Sequence, residues 1–165
     1  MTRKRPVLVP LFLCLAAFTH YAMAPVARAG FAEAVSAFER GDYVTAYKEM
    51  KPLAEQGNPT AQLNLGTMYS LGRGVPQDYI EAEKWYRKAA EQGNVDAQYN
   101  LGLMCVKGEG VQQDYVQGYM WFSLAASQGD VDAQRNRDSI ATRMTPSQIA
   151  YAQRLAREWK PKGKD

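Results

Sequence analysis

DYIEAEKWYRKAAEQGNVDAQYNLGLMCVKGEGV, residues Asp78 to Val111, is the unit that its flanking sequence repeats. A shift of 36 residues in either direction lays it over its neighbours. Asp42, Asp78 and Asp114 then coincide, as do Tyr43, Tyr79 and Tyr115, and Gly57, Gly93 and Gly129. The pairs Ala61–Gln62, Ala97–Gln98 and Ala133–Gln134 fall in the same register. A fixed period of this length signifies stacked supersecondary units, none of which buries its own apolar face alone.

Each unit reads as two antiparallel helices. In the middle copy Ala82, Trp85, Tyr86, Ala89 and Ala90 recur at three- and four-residue spacing, which marks one helical face. Asp78 stands as the N-cap, its carboxylate accepting from free N–H groups of the first turn, and Gly93 ends the helix. Asn94 caps the second helix, as Asn58 and Asp130 do in the other copies, and Pro59 sits just inside its helix, where the missing N–H costs nothing. Ala97, Leu101 and Met104 form the stripe of the second helix, matching Ala61, Leu65 and Met68. Gly66 and Gly102 lie mid-helix, where glycine costs about 1 kcal/mol against alanine. Their recurrence implies that a neighbouring helix passes too close for a side chain.

The glycines, alanines, aspartates and tryptophans in this register resemble the Sel-1-like repeat, a relative of the tetratricopeptide repeat. The resemblance runs from Asp42 to Asn136. Trp85–Tyr86 reappears as Trp121–Phe122, and Glu49–Met50 stands in that place in the first copy. It implies an all-α fold: a right-handed α-α superhelix of helix-turn-helix repeats, at about 42–77, 78–113 and 114–144. Such a solenoid offers a concave surface to partners, and the resemblance implies no reaction.

The ends of the array differ from its middle. Phe31, Ala34, Val35 and Phe38 make a short apolar stripe, read as a first helix closing the N-terminal side. In the third copy the Leu-Gly of the second helix becomes Arg137-Asp138, which suits a helix that no full repeat follows. Thr145 with Gln148 then forms a capping box, and Pro146 fits the first helical position. Ile149, Ala152, Leu155, Ala156 and Trp159 line one face of a capping helix at about 146–159. Residues 161–165 read as a disordered tail.

The first residues carry an address. Arg3, Lys4 and Arg5, an apolar run from Val7 to Phe18, and Ala27-Arg28-Ala29 before Gly30 have the order of a secretory signal peptide over residues 1–29. The run is short for a bilayer span, so no stable span is expected once it is removed. An exported chain, periplasmic or secreted, follows from this reading. Removal of that segment takes four basic residues and shifts the formal charge from +3 to about −1. The remainder is lopsided: eight bases and fourteen acids from Gly30 to Gln134, eight bases and three acids thereafter. No basic patch interleaved with aromatics appears, so nucleic acid is not an expected partner.

Chemistry-bearing motifs are few. His20 is the single histidine and lies in the presumed signal, which leaves Cys105 as the one cysteine beyond it. Neither a disulfide framework within one chain nor a His/Cys metal site can be built from that set. Cys105 reads as an inert thiol at the position of Tyr69. Trp85 and Trp121 read as core residues, and Glu81 and Glu83, two apart, point to different helix faces. No P-loop, dinucleotide fingerprint or G-x-S-x-G elbow is present, and no cofactor is expected.

The candidate binding residues are the repeat-variable ones of the first helix: Tyr47, Glu83 and Tyr119 in register, then Lys51, Arg87 and Ser123 one turn later. Residues four apart share a face. First helices line the concave groove in proteins that this chain resembles, and tyrosine and arginine are enriched at binding hot spots. The leading expectation is a non-catalytic interaction module for a peptide, a protein or a cell-envelope component, monomeric or weakly self-associating. Two alternatives stand beside it. One is a cell-wall or β-lactam hydrolase, by analogy with cysteine-rich relatives that carry a cysteine pair in each repeat. The other is a structural protein stacking head to tail.

Overall fold

The computed structural model describes residues 30–162, and all of their regular secondary structure is helical. The segment read as a signal peptide and residues 163–165 lie outside the described residues. Helix α1 covers residues 30–39. It is followed by α2 (Tyr43–Glu55), α3 (Pro59–Leu71), α4 (Tyr79–Glu91), α5 (Val95–Lys107), α6 (Tyr115–Ser127), α7 (Val131–Ala141) and α8 (Pro146–Glu158). The pairs α2–α3, α4–α5 and α6–α7 are the three repeats.

The expected caps are in place. Asp78 accepts from the N–H groups of Ile80 and Glu81, and Asp114 accepts from those of Val116 and Gln117. Asn58, Asn94 and Asp130 do the same for the second helices. Thr145 and Gln148 form the reciprocal capping box that starts α8. Each such cap contributes about 1 kcal/mol.

Repeats are joined by packing α4 onto α3 and α6 onto α5. A Cβ on Gly66 would stand 2.6 Å from the Tyr86 ring, and one on Gly102 would stand 2.7 Å from the Phe122 ring. The mid-helix glycines therefore make room for the aromatic residue of the next repeat. Trp85 is buried in the cluster of the first repeat, and Trp121 in that of the second. Each tryptophan thus completes the core of the repeat before its own, which is why neither hairpin is self-sufficient.

A polar seam runs beside this apolar one. Gln62 and Gln98 are buried, and their amide nitrogens donate to the carbonyls of Ala54 and Ala90 at 3.0 and 3.2 Å. Their amide oxygens accept from Gln92 and Gln128 of the following repeat at 2.7 and 2.9 Å. A buried amide left unpaired would cost about 1–3 kcal/mol, so these bonds fix the register between repeats. Gln134, the third member, is exposed because no fourth repeat follows. Arg135 and Asp138 stand where Tyr99 and Gly102 meet α6 in the previous repeat, and both are exposed. The array therefore ends on a polar α7, as Arg137-Asp138 indicates.

The C-terminal helix closes the molecule differently from a simple end plate. It packs mainly on α6. Its Ile149 and Ala152 join the cluster of the third repeat, and Leu155, Ala156 and Trp159 join that of the second. Trp159 is the C-cap in extended conformation and is half-buried, edge-on to Trp121 with ring centroids 6.4 Å apart. Beyond Trp159 the described chain, to Lys162, runs back to α4. The Lys162 N–H donates to the Glu91 carbonyl at 2.7 Å, and its ammonium meets the Glu91 carboxylate at 2.9 Å.

Candidate interaction face

The six candidate residues share one side of the first helices, but the structure does not treat them alike. Tyr47 on α2 is half-buried, and its hydroxyl shares a hydrogen bond of 2.9 Å with that of Tyr69 on α3. Burial, then this bond, pushes the Tyr69 phenol well above its ordinary range. Lys51, one turn on, is exposed, with its ammonium 5.8 Å from the centre of the Tyr47 ring. Glu83 and Arg87 on α4 form an ion pair. The Glu83 side chain is only 13% exposed, while Arg87 is 43% exposed and lies over it.

Tyr119 departs from the expected open groove. It is 7% exposed, and its hydroxyl accepts from the Gln153 amide of α8 at 3.3 Å. Ser123 spends its hydroxyl on the Tyr119 carbonyl at 2.8 Å. The α8 helix therefore occupies the third repeat's share of the face, and Tyr119 is a packing residue in this arrangement. The part that α8 leaves uncovered holds Lys51 and Arg87, with Tyr47 and Glu83 partly buried beside them.

The reason is legible one position along. Met120 and Leu124 are buried, whereas Lys84 and Lys88, their equivalents in the second repeat, are exposed. Lys48 and Pro52 hold the same positions in the first repeat and are also exposed. Helices α3 and α5 flank α4 as α5 and α7 flank α6, so the added neighbour of α6 is α8. The sequence carries a signal of this: α6, YVQGYMWFSLAAS, has no charged residue, whereas α4, YIEAEKWYRKAAE, has six. A first helix without a charged side is one covered on both sides.

Cations outside the expected set complete the open part. Lys88 lies over the Trp85 ring, 4.1 Å from its centre. Such a stack holds an ammonium in place at about 0.5–1 kcal/mol. Lys84 pairs with Glu81, which raises the affinity of its amine for the proton.

Other features have no evident chemistry. Cys105 is buried, and burial pushes its thiol up to about 11, against the weaker opposing pull of Arg87. It is protonated at neutral pH and a poor nucleophile. The described residues contain no group of three or more His, Cys, Asp or Glu placed to hold a metal ion. A cleft of about 200 Å³ opens on the second-helix side, over Tyr86 between Leu71 and Leu103. It is smaller than the usual small-molecule site. The Trp121 indole N–H is buried without an acceptor.

These helical hairpins, stacked through glycine–aromatic seams with one face left polar, define an α-solenoid of the repeat class. Residues 59–94 and 95–130 each match the Sel1 repeat. The chain thus carries two Sel1 repeats, each taken from second helix to next first helix. Three solved structures share the fold. A protective antigen of uropathogenic Escherichia coli strains, with an SLR fold, is 31% identical at a TM-score of 0.78, covering 87% of this chain and 32% of its own. A Sel1 repeat protein from Oxalobacter formigenes is 29% identical at a TM-score of 0.65, covering 79% of this chain and 56% of its own. Cysteine rich protein B of Helicobacter pylori is 21% identical at a TM-score of 0.53, covering 65% of this chain and 91% of its own, a likeness of fold alone. The chain thus spans about a third of the first and just over half of the second. No curated protein matches the sequence.

Proposed function

We propose that the protein is a non-catalytic interaction module that holds a peptide, a protein or a cell-envelope component on the first-helix face of its first two repeats. The observation that carries this reading is the division of that face. In the third repeat it is apolar and filled by α8, while in the first two it is polar and uncovered. Tyr47, Lys51, Glu83 and Arg87 are the contacting residues, and they present an aromatic ring and charged groups of both signs. Rigid helices carry all four, so they need no ordering on binding.

The site of action that fits is the cell envelope, reached through export directed by residues 1–29. No helix among the described residues is long and apolar enough to cross a membrane. The hydrolase reading has less behind it, because Cys105 is buried and held protonated.

Affinity capture from envelope extract tests the module, with the protein as bait and Lys51→Ala/Arg87→Ala as control. The expected result is a partner retained by the parent and lost by a variant whose melting temperature is unchanged. A partner held equally by both removes this face from the function. Cell fractionation of a reporter fused behind residue 30 tests export, and a cytoplasmic reporter overturns that part.

A further inference from the structure

We infer that the partner segment bound by this face is acidic: a peptide stretch rich in aspartate and glutamate. The inference rests on the interaction reading above and concerns the chemistry of the same face. It comes from asking which charges on the face are already neutralised within the chain.

On α4 every carboxylate is taken. Glu81 pairs with Lys84, Glu83 with Arg87, and Glu91 with Lys162. Of the charged residues on the two first helices that make no ion pair, three are cations and two are carboxylates. Lys48, Lys51 and Lys88 make no ion pair among the described residues, and two of them lie over aromatic rings, Tyr47 and Trp85. Glu55 is the opposing unpaired carboxylate on this face. Glu49, at the position of Trp85, turns toward α1, with its carboxylate within 4.0 Å of where a Cβ on Gly30 would stand. The neighbouring helix adds to the imbalance. On α8 Arg154 stacks on Tyr151, 5.1 Å from its ring centre, Arg157 and Glu158 are exposed, and Lys160 just beyond the helix is exposed as well.

Internal pairs contribute little field at a distance, because their charges cancel. Residues 30–134 carry more acids than bases, so these lysines act locally, within about 8 Å of the face at physiological salt, where they set the potential that a docked segment meets. A peptide fits better than a phosphate polymer or a membrane. The Glu55 carboxylate and the neutral ion pairs Glu81–Lys84 and Glu83–Arg87 interrupt the basic row, whereas a polyanionic backbone or an anionic bilayer favours uninterrupted runs of lysine and arginine. Tyr47 offers a ring that a peptide side chain can cover. The position of α8 supplies specificity: it fills the apolar third of the face, which leaves the charged two-thirds for the partner.

The test is fluorescence anisotropy on the purified protein with four labelled or competing probes. They are a 15-residue Asp/Glu-rich peptide containing one leucine, its Lys/Arg-rich counterpart, inorganic polyphosphate, and vesicles containing anionic lipid. The expected result is binding of the acidic peptide over the basic one. It should weaken by about tenfold in Lys51→Gln/Lys88→Gln and fall as salt rises from low to physiological strength. The exposed Lys48→Gln serves as a second variant should the Lys88 change disturb the Trp85 contact. Preference for the basic peptide overturns the inference, as does binding of polyphosphate or vesicles without the peptide. If neither peptide binds while capture still returns a partner lost on Lys51→Ala/Arg87→Ala, the acidic assignment falls and the module stands. Failure of capture removes both.

Discussion

Leu124 lies beneath α8, while Lys88, thirty-six residues earlier on an equivalent helix, lies in solvent over the Trp85 ring. The same comparison holds between Met120 and Lys84. Two first helices of one array, capped by the same aspartate and closed against the same kind of glycine seam, therefore differ on the side away from their second helices. The repeat therefore specifies its own hairpin and its seam, and leaves the outer side of each first helix to local need. On α6 that need is a seat for the C-terminal helix. On α2 and α4 it is contact with solvent or a partner.

Exchanging the two residues should affect the two helices very differently. Leu124→Lys places an ammonium under Leu155, Ala156 and Trp159, and a cation there must either stay buried or push α8 away. The expected loss is about 3–5 kcal/mol, read from denaturant unfolding. The reverse change, Lys88→Leu, adds an exposed apolar group and should stay within about 0.5 kcal/mol of the parent. Equal effects at the two sites would mean that α8 does not cover α6 in solution.

Trp159→Ala tests how much of the seat depends on its last residue. A fully buried ring at that position would be worth about 3–5 kcal/mol. The ring is half-buried and edge-on to Trp121, outside the last turn of α8, so about 2 kcal/mol is expected. A loss at the larger figure would place the ring deeper than the structure does. A melt unchanged by the substitution would detach it from the core.

The repeat, its caps and its glycine seams were legible in the sequence because each depends on residues recurring at a fixed spacing. Gly66 and Gly102 announced a close approach, and Tyr86 and Phe122 make it. The glutamine seam was visible as Gln62, Gln98 and Gln134 in register, yet without a role, since the partners Gln92 and Gln128 belong to the next unit. Register with Tyr47 and Glu83 places Tyr119 on the candidate face, and register says nothing of a helix outside the repeat, such as the α8 that covers Tyr119. The uncharged α6 was the available sign. Lys88 belongs to neither candidate register, and its stack on Trp85 depends on a rotamer that spacing does not convey. The start of the tail followed the same logic: its composition is that of a solvated end, and Glu91 of another repeat holds it.

Cys105 gives a measurement that separates the second repeat from the first, where Tyr69 stands in its place. Its folded value near 11 lies above the ordinary 9.0, so the native state keeps the proton longer than the unfolded chain. Stability should therefore be unaffected below about pH 9 and fall as pH rises toward 11. At pH 10 the deficit is about 1 kcal/mol. Because tyrosines titrate in the same range, the readout is the difference between parent and Cys105→Ser across that window. Curves that stay parallel to pH 10.5 would show a thiol exposed to water.

The smallest expected effect lies at the join between α8's tail and α4. The Lys162 ammonium is 73% exposed at its ion pair with Glu91, and pairs of that kind contribute about 0–1 kcal/mol. Lys162→Ala removes the ion pair and leaves the backbone bond to the Glu91 carbonyl intact. It should cost no more than about 0.5 kcal/mol, and less in high salt. Deleting residues 161–165 removes both contacts along with the Pro161 packing beside Gly93. A loss clearly larger than that of Lys162→Ala is then expected, because the Glu91 carbonyl belongs to the last turn of α4 and loses its donor. If the two variants melt together, the tail is held by charge alone, and the boundary between the closed and open parts of the face rests on Trp159.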